Sequence, residues 1–386
     1  MNLLTAVLPR CWFFALTPVL LALALCGCGG PEKRQPSGVR VTPGATRAPR
    51  PQPPPAYSAP RVVTPPSVFQ TQPPPPPQYT PPPPVVPRTP PSPAPVRPAA
   101  RPQWIPLQTW AAQLGFSAPV RVGPMDFQVR SGAGAFQFTV GKRAATWNGH
   151  RFHLGFAPAA TNGVPFIHSL DADKNLAPLL QVNRPVARGR GVIVLDPGHG
   201  GPDNGTRSAQ GNEKDYTLDW ARRLKPLLEA RGWKVVLTRT ADRGVELPER
   251  VLIAEQYQAD IFLSLHLNAA ATPGAAGLET FCLTPAGMAS TLTRNYADPA
   301  NIVLPGNSQD FENMRLAMRV HRSLLQTAGM PDRGVQRARF MAVLKTQQRP
   351  AILIEAGYLS DRNEARLIHT AEYRQKLALA VAKALE

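Results

Sequence analysis

The pattern of apolar and polar positions divides the chain into three stretches, and the C-terminal half carries the clearest rhythm. Val192–Leu195 is a four-residue apolar run that breaks at Asp196-Pro197-Gly198-His199-Gly200-Gly201. That pattern predicts a strand buried on both faces running into a turn that delivers His199. A helix is predicted across Glu213–Ala230, with Leu218, Ala221, Leu224, Leu227 and Leu228 on its apolar face and Arg231-Gly232 closing it. Pro226 falls inside it, where the ring and the missing N–H predict a kink or a lost bond. Lys234–Thr238 returns as a strand. The same reading gives a helix near Pro248–Gln258, strands at Asp260–Leu265 and Leu278–Leu283, a helix across Asp310–Ala328, a strand at Ala351–Ile354 and two closing helices. Strands alternating with helices imply an α/β fold, a mostly parallel sheet flanked by helices on both sides.

Residues 104–182 read differently, as a small α+β unit. A short helix around Leu107–Leu114 precedes alternating stretches at Asp126–Arg130, Ala135–Val140 and Arg151–Phe156, separated by turns at Ser131–Gly134 and Asn148–Gly149. The order strand, Gly turn, strand, Asn-Gly, strand, then Gly163-Val164-Pro165-Phe166 and a helix to Leu180 resembles the small domain first named from the N-terminus of copper amine oxidases. The resemblance implies a binding or positioning module and no copper site. His150, His153 and His168 are accordingly expected as surface or core residues.

Ahead of residue 104 the chain has little with which to build a core. Pro31–Gln103 holds 27 of the 46 prolines and reads as a polyproline-rich tether. Extended at about 3.1 Å per residue, it reaches on the order of 200 Å. Nine of its residues are Lys or Arg against the single Glu32, so it carries eight of the formal +18. Scattered arginines without a basic helix or an aromatic stacking platform point to an anionic wall or membrane surface and exclude nucleic acid as the expected partner. Residues 1–27 read as a signal peptide whose apolar stretch from Cys11 to Leu25 is shorter than the roughly 20 residues of a membrane span. Its end, Leu25-Cys26-Gly27-Cys28, resembles the lipobox of bacterial lipoproteins, which implies acylation of Cys28 and a lipid-anchored segment 28–103. Gly29 is not the Asp associated with inner-membrane retention, so an outer-membrane anchor facing the periplasm is expected. Cys282 is then the one thiol left in the globular part, expected as a buried small hydrophobe.

The chemistry gathers at strand ends. His199, His266 and Glu355 each follow a predicted buried strand, and Glu213 opens the helix after the first one. All four are expected at one edge of the sheet, where open α/β sheets collect ligands. Two imidazoles and a carboxylate with a fourth position for water are a recurrent catalytic zinc set, and a further carboxylate can act as base.

With these motifs in view, residues 191–386 resemble the zinc-dependent N-acetylmuramoyl-L-alanine amidases of the amidase 3 family. The resemblance rests on Leu195-Asp196-Pro197-Gly198-His199-Gly200-Gly201, Gly211-Asn212-Glu213-Lys214, Thr238-Arg239, Ser264-Leu265-His266-Leu267-Asn268-Ala269, Asp332-Arg333-Gly334-Val335 and Ile354-Glu355-Ala356-Gly357-Tyr358-Leu359-Ser360. It implies Zn2+ held by His199, Glu213 and His266, Glu355 as the catalytic acid/base, and peptidoglycan as substrate, cut at the amide between N-acetylmuramic acid and L-alanine. An activating protein is a partner it leaves open. Asn268 either contacts substrate or caps structure; Asp196 either backs a ligand histidine or forms the turn before Pro197. A catalytically silent wall-binding lipoprotein and a zinc peptidase or deacetylase stand as alternatives. Some family members carry a blocking helix between the positions of Leu283 and Asn313, whereas this interval is rich in turn residues, which predicts an irregular rim.

Overall fold

The computed structural model describes residues 104–184, 191–272, 274–293 and 299–386. Cys28, the signal segment and the Pro-rich tether lie outside these residues. Among the described residues, eleven strands form one sheet. The small unit supplies β1 (Val120–Arg121), β2 (Asp126–Ser131), β3 (Gly134–Thr139), β4 (Ala144–Trp147) and β5 (His150–His153). The βαβ region supplies β6 (Val192–Pro197), β7 (Lys234–Leu237), β8 (Ile261–Asn268), β9 (Leu278–Leu283), β10 (Asp332–Ala338) and β11 (Ala351–Tyr358). The order is β7-β6-β8-β11-β9-β10-β5-β4-β3-β2-β1. Strands β7, β6, β8 and β11 run parallel; β9 is antiparallel to β11 and parallel to β10.

Alternation along each strand sorts the residues between two cores. Ile193, Leu195, Leu263, Leu265, Ile352 and Ile354 join one cluster, while Val194, Phe262, Phe281 and Leu353 join the other. The first face is covered by α2 (Glu213–Glu229), α4 (Asp310–Ala328) and α7 (Ala371–Ala384), the second by α3 (Leu247–Gln256) and the short α5 (Ala342–Lys345). Helix α6 (Arg362–His369) begins on Asp361, whose carboxylate accepts from Asn363 N and Glu364 N at 2.9 Å. Pro226 stands on the exposed face of α2.

The strands of the small unit continue the larger sheet. Strand β5 pairs with β10 at Phe152 and Val335, and Arg151 N donates to Asp332 Oδ2 at 2.7 Å. Arg337, buried in β10, donates to Lys174 O at 2.8 Å and to Asn175 Oδ1 in the helical run 169–180. Strand β10 escaped the hydrophobic pattern because its buried positions include this arginine, paired with carbonyls and an amide rather than with apolar neighbours. The short helix Leu107–Gln113, here α1, matches its expected position, and β4 is a further strand between the expected ones. His168 is buried, stacked on Phe156 at 3.6 Å, with Nδ1 accepting from Leu170 N, a core placement, one of the two expected of it. Cys282 is buried as expected. Burial also pushes its thiol up, which keeps it in the unreactive form. The described residues between Leu283 and Pro305 form turns and bends and no helix.

Candidate metal and acid–base site

Strand β8 continues through His266 to Asn268 and β11 continues through Glu355 to Tyr358, so both residues lie within strands rather than just beyond them. Their polar side chains end the apolar run without ending the backbone ladder. Asp196, Ser264, His266, Leu353 and Glu355 share the α3/α5 face by alternation. Ser264 pairs with Asp196, His266 with Glu355, and Glu355 in turn with Glu279 on β9. His266, Glu355 and Glu279 therefore form a row across three neighbouring strands.

Glu213, the first residue of α2, closes the cluster from the side of the helix. Its Oε1 lies 3.1 Å from His199 Nε2 and 3.0 Å from His266 Nδ1, and accepts from Leu267 N at 2.9 Å. Its Oε2 accepts from Thr206 N at 2.9 Å. Ligand atoms of His199, Glu213 and His266 all fall within 4.8 Å of one another, the one such group of three among the described residues. Burial by itself would raise the Glu213 carboxyl, but the two imidazoles overcome it and hold the group well below the usual carboxylate range. A helix N-terminus favours the same charge.

The turn that carries His199 is held from beneath by two buried arginines. Arg239 donates from Nε to Pro197 O at 3.0 Å and from Nη2 to Gly198 O at 2.8 Å. Arg250 donates to Pro197 O and to His199 O, each at 3.0 Å, and pairs with Asp196 Oδ1 at 2.7 Å. This caging keeps His199 at φ +61, a left-handed conformation that a non-glycine residue adopts at a cost. Two glycines keep the pocket clear. A Cβ on Gly198 would run into the His266 ring, and one on Gly205 would lie 2.6 Å from Glu213 Oε2 and from His199 Cδ2.

Asp196 does not reach either histidine. Its carboxylate is consumed by Arg250, by Thr238 Oγ1 at 2.7 Å and by Ser264 Oγ at 2.8 Å. The carboxylate that backs a histidine is Asp203, whose Oδ2 lies 2.7 Å from His199 Nδ1 and whose Oδ1 accepts from Gly205 N at 2.9 Å. Sequence reasoning passed over Asp203 because it stands in a turn; its four-residue spacing from His199 was the available signal. Asn268 lines the cleft with its carboxamide engaged at both ends, donating to Glu279 Oε2 at 2.8 Å while Oδ1 accepts from Ala269 N at 2.8 Å. Tyr358 OH and Arg333 Nε complete the partners of Glu279 at 3.1 and 3.0 Å.

Glu355 stands apart from these satisfied groups. One edge of the residue meets the cleft, yet Oε2 is sealed from solvent and has no hydrogen-bond partner. Burial first, then the nearby carboxylates Glu213 and Glu279, hold its carboxyl well above the usual range. The cleft in front of these groups encloses about 940 Å³ and is walled on its other sides by Val245, Leu247, Phe340 and Met341.

Fold and site together define a hydrolase of the α/β class that collects a histidine–glutamate–histidine group and a separate high-pKa carboxyl at one sheet edge. The family model described as N-acetylmuramoyl-L-alanine amidase matches residues 193–386. Among curated proteins, the N-acetylmuramoyl-L-alanine amidase AmiA of Escherichia coli (strain K12) is 30% identical over 217 residues, 50% of this chain and 75% of that protein. The amidase LytC of Bacillus subtilis (strain 168) is 33% identical over 190 residues, 49% of this chain and 34% of that protein. Among solved structures, amidase AmiC2 of Nostoc punctiforme aligns at a TM-score of 0.42 and 33% identity, covering 52% of this chain and 97% of that one. The chain belongs to the N-acetylmuramoyl-L-alanine amidase family.

Proposed function

We propose that the protein hydrolyses the amide joining the lactyl group of N-acetylmuramic acid to L-alanine in peptidoglycan, with Glu355 as acid/base. The observation that carries this reading is the place of Glu355: it lines the same cleft as His199, Glu213 and His266, on the strand next to His266, and no cation is paired with it among the described residues. The donor set fits a metal: one buried carboxylate oxygen already bridges two imidazole nitrogens, and the glycines opposite leave the space open. His199, Glu213 and His266 would hold zinc, which when bound supplies Lewis acidity toward a carbonyl and toward water. Asp203 keeps the proton of His199 on Nδ1, which turns Nε2 toward Glu213. A carboxyl with raised proton affinity is suited to take a proton from attacking water and return it to the departing amine.

The N-terminal features support an envelope enzyme. Acylation of Cys28 would anchor it to a membrane, outer-membrane and periplasm-facing by the Gly29 criterion, and residues 28–103 would let the folded part reach the wall. Labelled palmitate should enter the wild-type chain and not Cys28→Ser.

Digestion of purified peptidoglycan by the zinc-loaded protein should release stem peptides with an unblocked N-terminal alanine. Unchanged activity in Glu355→Ala, or products cut at another bond, would overturn the assignment.

A further inference from the structure

The turn that carries His199 is gripped a second time, beyond the two arginines. Lys214, the residue after Glu213 in α2, donates from Nζ to Gly201 O at 2.7 Å and to Asp242 Oδ2 at 2.9 Å. Asp242 Oδ1 accepts from Gly201 N at 2.7 Å. Both backbone polar groups of Gly201, two places after His199, are therefore held by the two members of one ion pair. The Lys214 side chain is only 12% exposed, and an ammonium so far removed from water needs acceptors; it has these two. Asp242 comes from the loop after β7 and stays half exposed. That loop lies against the turn because the turn is glycine: a Cβ on Gly200 would meet Arg243 O, and one on Gly201 would meet Gly244 N. The same loop runs on into the cleft wall at Val245, Glu246 and Leu247.

Resting on the zinc assignment of the proposed function, we propose that Lys214 and Asp242 work as one clasp of positioning residues, which fixes the His199 turn against the start of α2 and so sets the spacing of His199 and Glu213. Glu213 and Lys214 are neighbours in the first turn of one helix, and His199 and Gly201 belong to one turn. Joining Lys214 to Gly201 therefore ties the two zinc-holding residues together through one residue on the helix side and two on the turn side. Arg239 and Arg250 grip the incoming limb at the carbonyls of Pro197, Gly198 and His199; the clasp grips the outgoing limb, which leads to Asp203. That limb needs a grip of its own. His199 is left-handed and is followed by Gly200 and Gly201, both at positive φ, so the free chain has more backbone states here than elsewhere. Freezing those states when the ligands close on an ion would weaken binding, and a limb held beforehand does not incur that cost.

The test reads zinc affinity on the full chain by chelator competition, beside the Tm of the metal-free protein. Lys214→Met, which keeps the apolar stem, and Asp242→Ala should each weaken zinc binding by about tenfold, the lower end for residues that support a metal ligand. The double variant should be no weaker than the worse single one, because both substitutions break the same unit. Asp242→Asn keeps an acceptor for Gly201 N and should lie between the wild type and Asp242→Ala. In every variant the metal-free Tm should stay within a few degrees of wild type, since a half-exposed ion pair adds little to global stability. Zinc affinity within about twofold of wild type in both single variants overturns the clasp, as does a double variant whose loss is the product of the single losses. A metal-free Tm that falls by tens of degrees in step with zinc affinity also overturns it, because the pair would then hold the fold rather than the ligands. A wild type that binds no zinc removes the zinc assignment and the clasp together; a wild type that binds zinc beside unaffected variants removes the clasp alone.

Discussion

Two histidine clusters in this molecule are built from similar parts and differ in everything that matters for chemistry. His321 in α4 is fully buried, with Nδ1 3.0 Å from Thr280 Oγ1 and Nε2 3.0 Å from Asp332 Oδ1. The remaining Asp332 oxygen accepts from Arg151 N, so a hydroxyl, an imidazole and a carboxylate form a chain that resembles a nucleophile relay. Its imidazole is sealed from solvent, and among the described residues its imidazole nitrogens and carboxylate oxygens all have partners. It ties β9, α4, β10 and β5 together, and that accounts for it. At the other cluster His199, Glu213 and His266 open onto a cleft, and Glu355 beside them keeps one oxygen without a partner. Residue type and spacing do not distinguish a reactive cluster from a structural one; access to a cleft does.

The comparison breaks most easily at Glu355. Glu355→Gln should lower kcat by a factor of about 10²–10⁴, the usual worth of a positioned acid/base, while zinc content and Tm stay at wild-type values. Loss of metal or of folding in that variant would move Glu355 into the structural class. Next in size is the cage under the turn. Asp196 and Arg250 are both buried, and Arg250→Met leaves an unpaired carboxylate that should cost about 3–5 kcal/mol in urea unfolding. Asp203→Ala should weaken zinc binding by roughly 10–100-fold in a chelator competition, with Asp203→Asn closer to wild type because an acceptor for Nδ1–H remains. The smallest effect belongs to the structural cluster. Burial would raise the Asp332 carboxyl, but His321 and the Arg151 amide outweigh it and hold it below its ordinary value. A depressed carboxyl contributes stability that is present above the ordinary aspartate range and is lost as pH falls through the folded value. Acid unfolding followed by circular dichroism should therefore be steeper below pH 4 in the wild type than in Asp332→Asn, with kcat per folded molecule unchanged between the two.

Much of the architecture was legible because it depends on local rules. The apolar run at Val192–Leu195, the period of α2 and α4, and the Gly/Pro punctuation after β6 placed the βαβ elements close to where they stand. His199, Glu213, His266 and Glu355 could be put at one edge because each follows or opens a recognisable element. Strand β10 was missed since Arg337 and Gln336 occupy positions where the pattern expected apolar residues. The role offered to Asp196 went to Asp203, and Glu279 was overlooked although its alternation with Phe281 points it toward Glu355.

The sequence by itself determined the order and period of most elements, the Gly/Pro turn after β6, and the identity of the four groups that meet. Those features follow from backbone sterics and from side-chain periodicity within a few residues. Only the tertiary structure decided which carboxylate backs His199, that Glu355 rather than Asp196 keeps a free oxygen, and that the small unit extends the larger sheet through β5 and β10. Whether a polar atom is satisfied depends on donors from segments distant in the chain, and no local pattern records how those segments approach one another.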